Sequence, residues 1–434
     1  AERLRFAMKF QQYTGPLQAK GLEDTAFYRY NLLLSLNEVG GDPSRVGISP
    51  KEFHQLNQKR RLDWPFEMLS TATHDTKVGE DVRTRIDVLS EMPEDWGREV
   101  ARWMRLNRGE RVIIEGEPVP DRNDEYRFYQ ALIGVWPPEI TQADAASPEL
   151  IARLQAYMTK SVREAKLHSS WINSNEEYET GVTRFVARVL SGEGGARFLP
   201  AFLPFQQRIA RIGFLNSLAQ VVLKTASPGI PDIYQGTELW DLHLVDPDNR
   251  LPVDFDRRRH ALSEVQAMMA LPCPGRADMI GGLLARWTDG TIKMFVTAAG
   301  LRLRREAASL FLEGDYTPLD VEVSVPADIV AFARILDGQR ALLVVVPRLP
   351  SRLMEADGAL PVGECWKTSR VLLPATLAGR SFRDAFTGSI VRPENGTGGS
   401  WLFVGQVLQT LPVAMLMDED GTRDPGSGMR DAQC

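Results

Sequence analysis

The spacing of apolar residues changes along this chain, and that change constrains its fold more than any single motif. Between residues 91 and 225 they recur at helical intervals: Leu150, Leu154, Met158, Val162 and Ala165 trace one face, with Arg153, Lys160, Arg163 and Glu164 turned to water. From about residue 280 the period becomes two, Ile292, Met294 and Val296 alternating with Lys293, Phe295 and Thr297, which predicts strands. Residues 329–336 and 341–346 flank Asp337-Gly338-Gln339-Arg340, a hairpin signal, and residues 401–415 supply a last apolar segment. A helical region followed by an all-β one, a sandwich with Greek-key-like connections, is the expected order. No internal repeat accompanies it, and residues 418–434, polar and Gly-rich, are expected to be a disordered tail.

At 434 residues the chain has room for about three domains. Lys and Arg total 51 against 57 Asp and Glu, a net charge of −6, which excludes a strongly basic nucleic-acid binder. No apolar run approaches the ~18 residues of a membrane helix. Cys273, Cys365 and Cys434 are odd in number and far apart, fitting neither a disulfide framework nor a zinc site, so a cytoplasmic protein is expected. The first residue is Ala within the amphipathic stretch AERLRFAMKFQQY, without the pattern of a signal peptide, so a piece of something longer is expected.

Chemistry concentrates in two polar loops. The apolar run 66–72 predicts a short buried strand; Val82, Ile86 and Leu89 then recur at helical spacing over residues 80–90. Strand, polar loop and helix make a βα unit, and α/β barrels build active sites at the C-terminal ends of such strands. The loop holds Thr71, Thr73, His74, Asp75, Thr76 and Lys77. A carboxylate there could favour the positive charge of an oxocarbenium-like transition state; equally, Asp75 could only cap the helix that follows. The second loop, Lys20 to Thr25, sets a cation beside Glu23 and Asp24, and a salt-bridged turn is the simpler reading. Residues 228–238 read as another buried strand leading into an acid-rich loop with Glu238, Asp241, Asp246 and Asp248. No GxGxxG after a strand, GxxxxGK[ST], HExxH or CxxC occurs, so nucleotide and metal chemistry lack sequence support. Trp96, Trp103, Trp136 and Trp171 are expected to be core anchors, the sharper alternative being that one or two stack on sugar rings.

Five extended runs stand out: QAKGLEDTAFYRYNLLLSLNEVGGDP (18–43), STATHDTKVGEDVRTRIDVLSEMPEDW (70–96), PDRNDEYRFYQALIGVWP (120–137), YMTKSVREAKLHSSWINSNEEYE (157–179) and SPGIPDIYQGTELWDLHLVDPDNRLPVDF (227–255). In content and order they resemble the C-terminal part of the maltooligosyl trehalose synthase family, the (1→4)-α-D-glucan 1-α-D-glucosylmutases within the α-amylase family. The resemblance implies an α/β plus all-β fold: the C-terminal part of an amylase-type (β/α)8 barrel with a large helical insertion and a C-terminal antiparallel β-sandwich domain. Residues 1–90 would supply late barrel strands and catalytic loops, 91–225 the insertion, 226–275 the last barrel strand and helix, and 276–417 the β-domain.

It further implies that Asp75 is the third catalytic carboxylate, gripping the 2- and 3-hydroxyls of the transferred sugar. His74 would hydrogen-bond the same sugar, and Lys20, Glu23 and Lys77 would bind substrate, Lys20 and Glu23 on the reducing-end side of the cleft. The activity implied converts the reducing-end α-1,4 linkage of a maltooligosaccharide to α,α-1,1. The nucleophilic Asp and general-acid Glu, which retaining transfer needs about 5–5.5 Å apart, belong to strands upstream of every quoted run. The isolated chain is therefore expected to be inactive, with the N-terminal half of the same enzyme as its partner and no cofactor or metal. A functionally coupled maltooligosyl trehalose trehalohydrolase would follow in the pathway, and neither nucleic acid nor membrane is expected to bind. Val78 and Leu251 stand where the family would carry arginine. The alternatives are a non-catalytic glucan-binding fragment or another amylase-family hydrolase.

Overall fold

The computed structural model describes residues 2–271, 273–354 and 359–419. The chain forms two compact units. One comprises the residues up to Gly47, His74–Gly213 and Leu242–Leu251; the other Ile48–Thr73, Phe214–Asp241 and the described residues from Pro252 onward.

The first unit is mainly helical. Helices Pro93–Leu106, Arg122–Val135, Pro148–Ala165 and Glu176–Leu190 follow one another, and the long helix Gly192–Ala226 starts here. Their starts are written in the sequence: Asp121, Ser147 and Asn175 each accept a hydrogen bond from a backbone N–H of the first turn, and Pro148 occupies the first helical position. Trp96, Trp103 and Trp136 are buried, Trp103 packing edge-on against Phe198 and Phe205, as expected of core anchors. Trp171 differs: it is exposed, with the Arg163 guanidinium 4.8 Å from its ring centre and Nε1 donating to Glu164. A small hairpin, Val112–Ile114 with Glu117–Val119, interrupts the helices, turning through Glu115 and Gly116, both at positive φ.

Helix Glu80–Val88 lies deep in this unit, with even Glu80, Asp81, Thr84 and Arg85 buried. Arg85 Nη1 donates to the carbonyls of Gly134 (2.9 Å) and Trp136 (2.7 Å), capping the end of helix Arg122–Val135, and burial lowers its pKa to about 10. The close approach of the two helices depends on Gly134, where a Cβ would stand 2.5 Å from Val82 Cγ1.

The second unit contains the sheets. A six-stranded antiparallel sheet runs in the order Ile390–Val391, Phe382–Asp384, Ala414–Asp418, Arg340–Arg348, Asp328–Leu336, Asp315–Pro318. A four-stranded antiparallel sheet orders Glu394–Gly396, Gly399–Phe403, Arg370–Leu373 and Val321–Glu322. Alternate residues of the larger sheet enter two cores. Val330, Phe332, Leu342 and Val344 join Leu215, Val222, Ile280 and Phe295 from helices, while Ala331, Ala333, Leu343 and Val345 join Val371, Leu373 and Leu402 from the smaller sheet. Burial on both faces makes these strands read as continuous apolar runs. The hairpin forms where expected, Leu336 pairing with Arg340 across a turn in which Asp337 and Gly338 have positive φ.

Three expectations need correction. Ile292 to Thr297 are helical, not a strand, within Thr291–Glu306; helices Cys273–Ala285 and Ala308–Glu313 flank them, and the sheets begin only at Asp315. The helix is buried along both sides of this segment, including Lys293, whose Nζ donates to the Leu239 carbonyl at 3.2 Å, so no polar face sets a helical period. The run 66–72 yields only the strand Met68–Leu69, and it is not buried: Phe66 and Met68 are each 64% exposed. Of the tail, Asp418 ends a strand and is buried beside Arg380, and residues 420–434 lie outside the described residues.

Met68–Leu69 pairs in parallel with Ile230–Pro231. Gly229, at φ +123°, permits this approach, since a Cβ there would stand 2.8 Å from the Glu67 carbonyl oxygen. No helix among the described residues is long and apolar enough to cross a membrane.

Candidate functional site

The His74–Lys77 loop opens the second segment of the first unit. His74 and Asp75 are exposed, about two thirds of each side chain reaching solvent, with His74 Nε2 3.3 Å from Asp75 Oδ2. Asp75 does not occupy the cap position of the next helix, which belongs to Gly79. The loop is held at several points along its backbone. Asn249 Nδ2 donates to the His74 carbonyl at 2.9 Å, the Gly79 amide donates to the His243 carbonyl at 2.8 Å, and Val78 bridges to Leu244.

Lys77 is largely buried, its side chain 14% exposed, and its Nζ reaches Asp24 Oδ1 at 3.1 Å. The other oxygen of Asp24 takes Lys20 Nζ at 2.5 Å. The two polar loops of the sequence therefore meet through one carboxylate. Burial raises the Asp24 pKa, but hydrogen bonds and charge from Lys20 and Lys77 outweigh it and hold the group below the usual carboxylate range. Lys20 is correspondingly raised, chiefly by its bond to Asp24. The segment carrying Lys20, Glu23 and Asp24 is a π-helix, Ala19–Ala26, in which Thr25 Oγ1 donates to the Lys20 carbonyl at 2.8 Å. Such wide turns are uncommon and recur at functional sites. Glu23 points elsewhere, accepting the Gly40 amide at 3.5 Å.

The salt-bridged turn expected at Lys20 to Thr25 is present, but its acid, Asp24, was missing from the expected site residues. Its i,i+4 spacing from Lys20 predicts an ion pair, but nothing in the sequence announces the second cation, 53 positions away. Glu38 was also missed: its carboxylate accepts from the Lys77 amide and from Arg83.

Ion pairs engage Glu238, Asp246 and Asp248 of the acid-rich loop. In the first unit Asp248 is gripped by Arg153 through both oxygens (2.7 and 2.8 Å), and Asp246 pairs with Arg250. In the second, Glu238 pairs with Arg258 at 3.0 Å. Of the two positions expected to carry arginine, Val78 is buried and Leu251 half exposed. Among the described residues one group could offer a metal three ligand atoms, Asp121, Asp124 and His168, within 4.8 Å of one another. These side chains are already engaged: Asp121 caps helix Arg122–Val135 and pairs with His168, and Asp124 accepts from the Tyr178 hydroxyl at 2.7 Å.

No protein-family model matches the chain. A curated protein of Mycobacterium tuberculosis whose assigned name is maltooligosyl trehalose synthase is 35% identical over 414 residues, 95% of this chain and 46% of that protein. The solved structure of maltooligosyltrehalose synthase from Arthrobacter ramosus superposes with a TM-score of 0.75 at 33% identity, covering 95% of this chain and 46% of the other. A further crystal structure of a maltooligosyl trehalose synthase gives a TM-score of 0.73 at 34% identity over 94% of this chain and 47% of that one. The chain spans about half the length of the curated relatives it matches. This chain is a relative of the maltooligosyl trehalose synthases, matching the C-terminal portion of those proteins.

Proposed function

We propose that this chain supplies the C-terminal part of a glucosylmutase that converts the reducing-end α-1,4 linkage of a maltooligosaccharide into an α,α-1,1 linkage, giving maltooligosyl trehalose. The observation that carries the reading is the convergence on Asp24. The carboxylate joins Lys20, from one resembling run, to Lys77, from another, two positions beyond Asp75. A fixed cation beside an exposed acid suits a polyhydroxyl ligand, with Asp75 holding two sugar hydroxyls and His74, Lys20 and Lys77 supplying donors. Glu23 acts at the edge of this group, through the Gly40 turn.

In this reading Met68–Leu69 and Ile230–Pro231 are the seventh and eighth strands of an amylase-type barrel, and the antiparallel sheets form the C-terminal sandwich. Parallel strands are nearly always covered on both faces, so a parallel pair leaving Met68 64% exposed supports membership of a larger sheet. Helix Glu2–Gln18, which buries none of its residues, supports the same view. The upstream half brings the nucleophile and the general acid. The nucleophile displaces the terminal glucose to form a covalent glycosyl-enzyme, and the acid protonates the departing oxygen. The released glucose stays bound, turns, and attacks through its anomeric hydroxyl, the acid residue now taking the proton. Water must be kept out for this to prevail over hydrolysis, and the helical insertion forms the wall that does so. The product is the substrate of a coupled trehalohydrolase in the cytoplasm.

The test is product analysis. The polypeptide comprising this chain and its upstream half, given maltopentaose, is expected to consume reducing ends without releasing matching glucose; the 434-residue chain alone is expected to do neither. Glucose or maltose as the main product would overturn the reading in favour of a hydrolase.

A further inference from the structure

The loop bearing Asp75 is anchored from a third segment that no assigned role covers. Residues 36–43, Leu-Asn-Glu-Val-Gly-Gly-Asp-Pro, make a tight turn in which the Gly41 amide donates to the Glu38 carbonyl at 2.7 Å. A Cβ on Gly41 would stand 2.8 Å from that same oxygen, so the turn needs glycine there. Asn37, just before, is buried and donates through Nδ2 to the carbonyls of Phe27 (2.9 Å) and Tyr30 (2.6 Å), which fixes the start of the turn. The Glu38 side chain, 19% exposed, is thereby set against the loop.

Its carboxylate uses both oxygens. The Lys77 amide donates to Oε1 at 2.9 Å and to Oε2 at 3.1 Å, and Arg83 Nη1 donates to Oε2 at 2.8 Å. Arg83 Nη1 also donates to the Val78 carbonyl at 2.8 Å. Carboxylate and guanidinium thus close a ring around the peptide that joins Lys77 to Val78. Hydrogen bonds between ionised groups, or between an ionised group and a backbone amide, are the stronger and more directional kind.

We propose that Glu38 is a positioning residue for the transfer reaction. By clamping the Lys77 amide it fixes both Asp75, two positions upstream, and the Lys77 ammonium that meets Asp24. The inference rests on the reading given under Proposed function and extends it to a residue that touches no sugar. Misplacement by about 1 Å can cost a hundredfold in rate, so a backbone clamp has leverage out of proportion to its size.

The experiment has two arms. In the 434-residue chain labelled with ¹⁵N-lysine, the Lys77 amide proton is expected downfield, as suits an amide donating to a carboxylate, and Glu38→Gln is expected to move it upfield more than any other lysine amide. In the enzyme carrying the upstream half, E38Q is expected to lower kcat about ten- to a hundredfold, to change KM less than twofold, and to raise the share of free glucose among products. Glu38→Asp should recover part of the loss. Arg83→Gln, which leaves the carboxylate in place, should give a smaller change of the same kind and serves if E38Q does not fold. An unmoved Lys77 amide, or retained kcat and product ratio in an enzyme that Asp75→Asn inactivates, overturns the role of Glu38 while the broader reading stands. Full activity in D75N overturns the broader reading, and the role of Glu38 with it.

Discussion

Replacing Asp24 by Asn keeps the shape of the side chain and removes the charge that joins the two polar loops. The Lys20 pair is exposed on its cationic side, 74% for the side chain, and as an i,i+4 surface pair contributes about 0.3–0.5 kcal/mol. The Lys77 bond is more sheltered, at 14% and 25% exposure for the two side chains. Hydrogen bonds between charged groups contribute about 1.5–3 kcal/mol, and partial solvation argues for the lower end. Together the loss is about 2 kcal/mol, local to the segments that meet. A free-energy change of that size corresponds to about thirtyfold faster exchange of amides that open locally. Hydrogen exchange read by mass spectrometry should show it in peptides spanning residues 19–30 and 74–79, with helix Glu176–Leu190 unchanged.

The pH dependence follows from the sign of the shift. Asp24 has a lowered pKa in the fold, so its stabilisation is complete above the ordinary value of 3.8 and disappears as pH falls through the lower folded value. Parent and D24N should therefore differ at pH 7 and converge well below pH 3.8. Equal exchange at neutral pH, or a difference that persists undiminished in strong acid, would refute the reasoning.

Other outcomes are expected elsewhere. Gly134→Ala forces a methyl to 2.5 Å from Val82 Cγ1 and should destabilise the first unit by about 1–3 kcal/mol, read as a lowered melting temperature. Asp384 is buried, and desolvation raises its pKa to about 6 against hydrogen bonds from Thr387 and from backbone amides. Its neutral form favours the fold, so its contribution is full below pH 3.8 and lost as pH rises to about 6; Asp384→Asn should flatten that part of the stability profile, and an unchanged slope would count against it.

Local rules account for much of what the sequence revealed. Leu150, Leu154, Met158 and Val162 announce helix Pro148–Ala165 because a helix face repeats within its own turns, and Asp337-Gly338 announces a hairpin because few residues accept positive φ there. Non-local circumstances defeat the same reasoning. Ile292 to Thr297 alternate like a strand, yet Lys293, which that pattern turns to water, lies fully buried in a helix beside the Trp240 ring. Phe66 and Met68 read as core and are exposed. At the candidate site the motifs around Lys20 and Asp75 were legible, but their meeting through Asp24 and the clamp from Glu38 were not. Both bonds join segments tens of residues apart, and only the fold brings them within reach.

The most direct test is the turnover of Asp75→Asn in the enzyme carrying this chain and its upstream half, with thermal unfolding measured alongside. Because Asp75 is about two thirds exposed, the exchange should leave the melting temperature nearly unchanged. If Asp75 holds the sugar during transfer, kcat should fall by about a thousandfold or more. Turnover within a few-fold of the parent, from a protein that melts normally, would contradict the assignment.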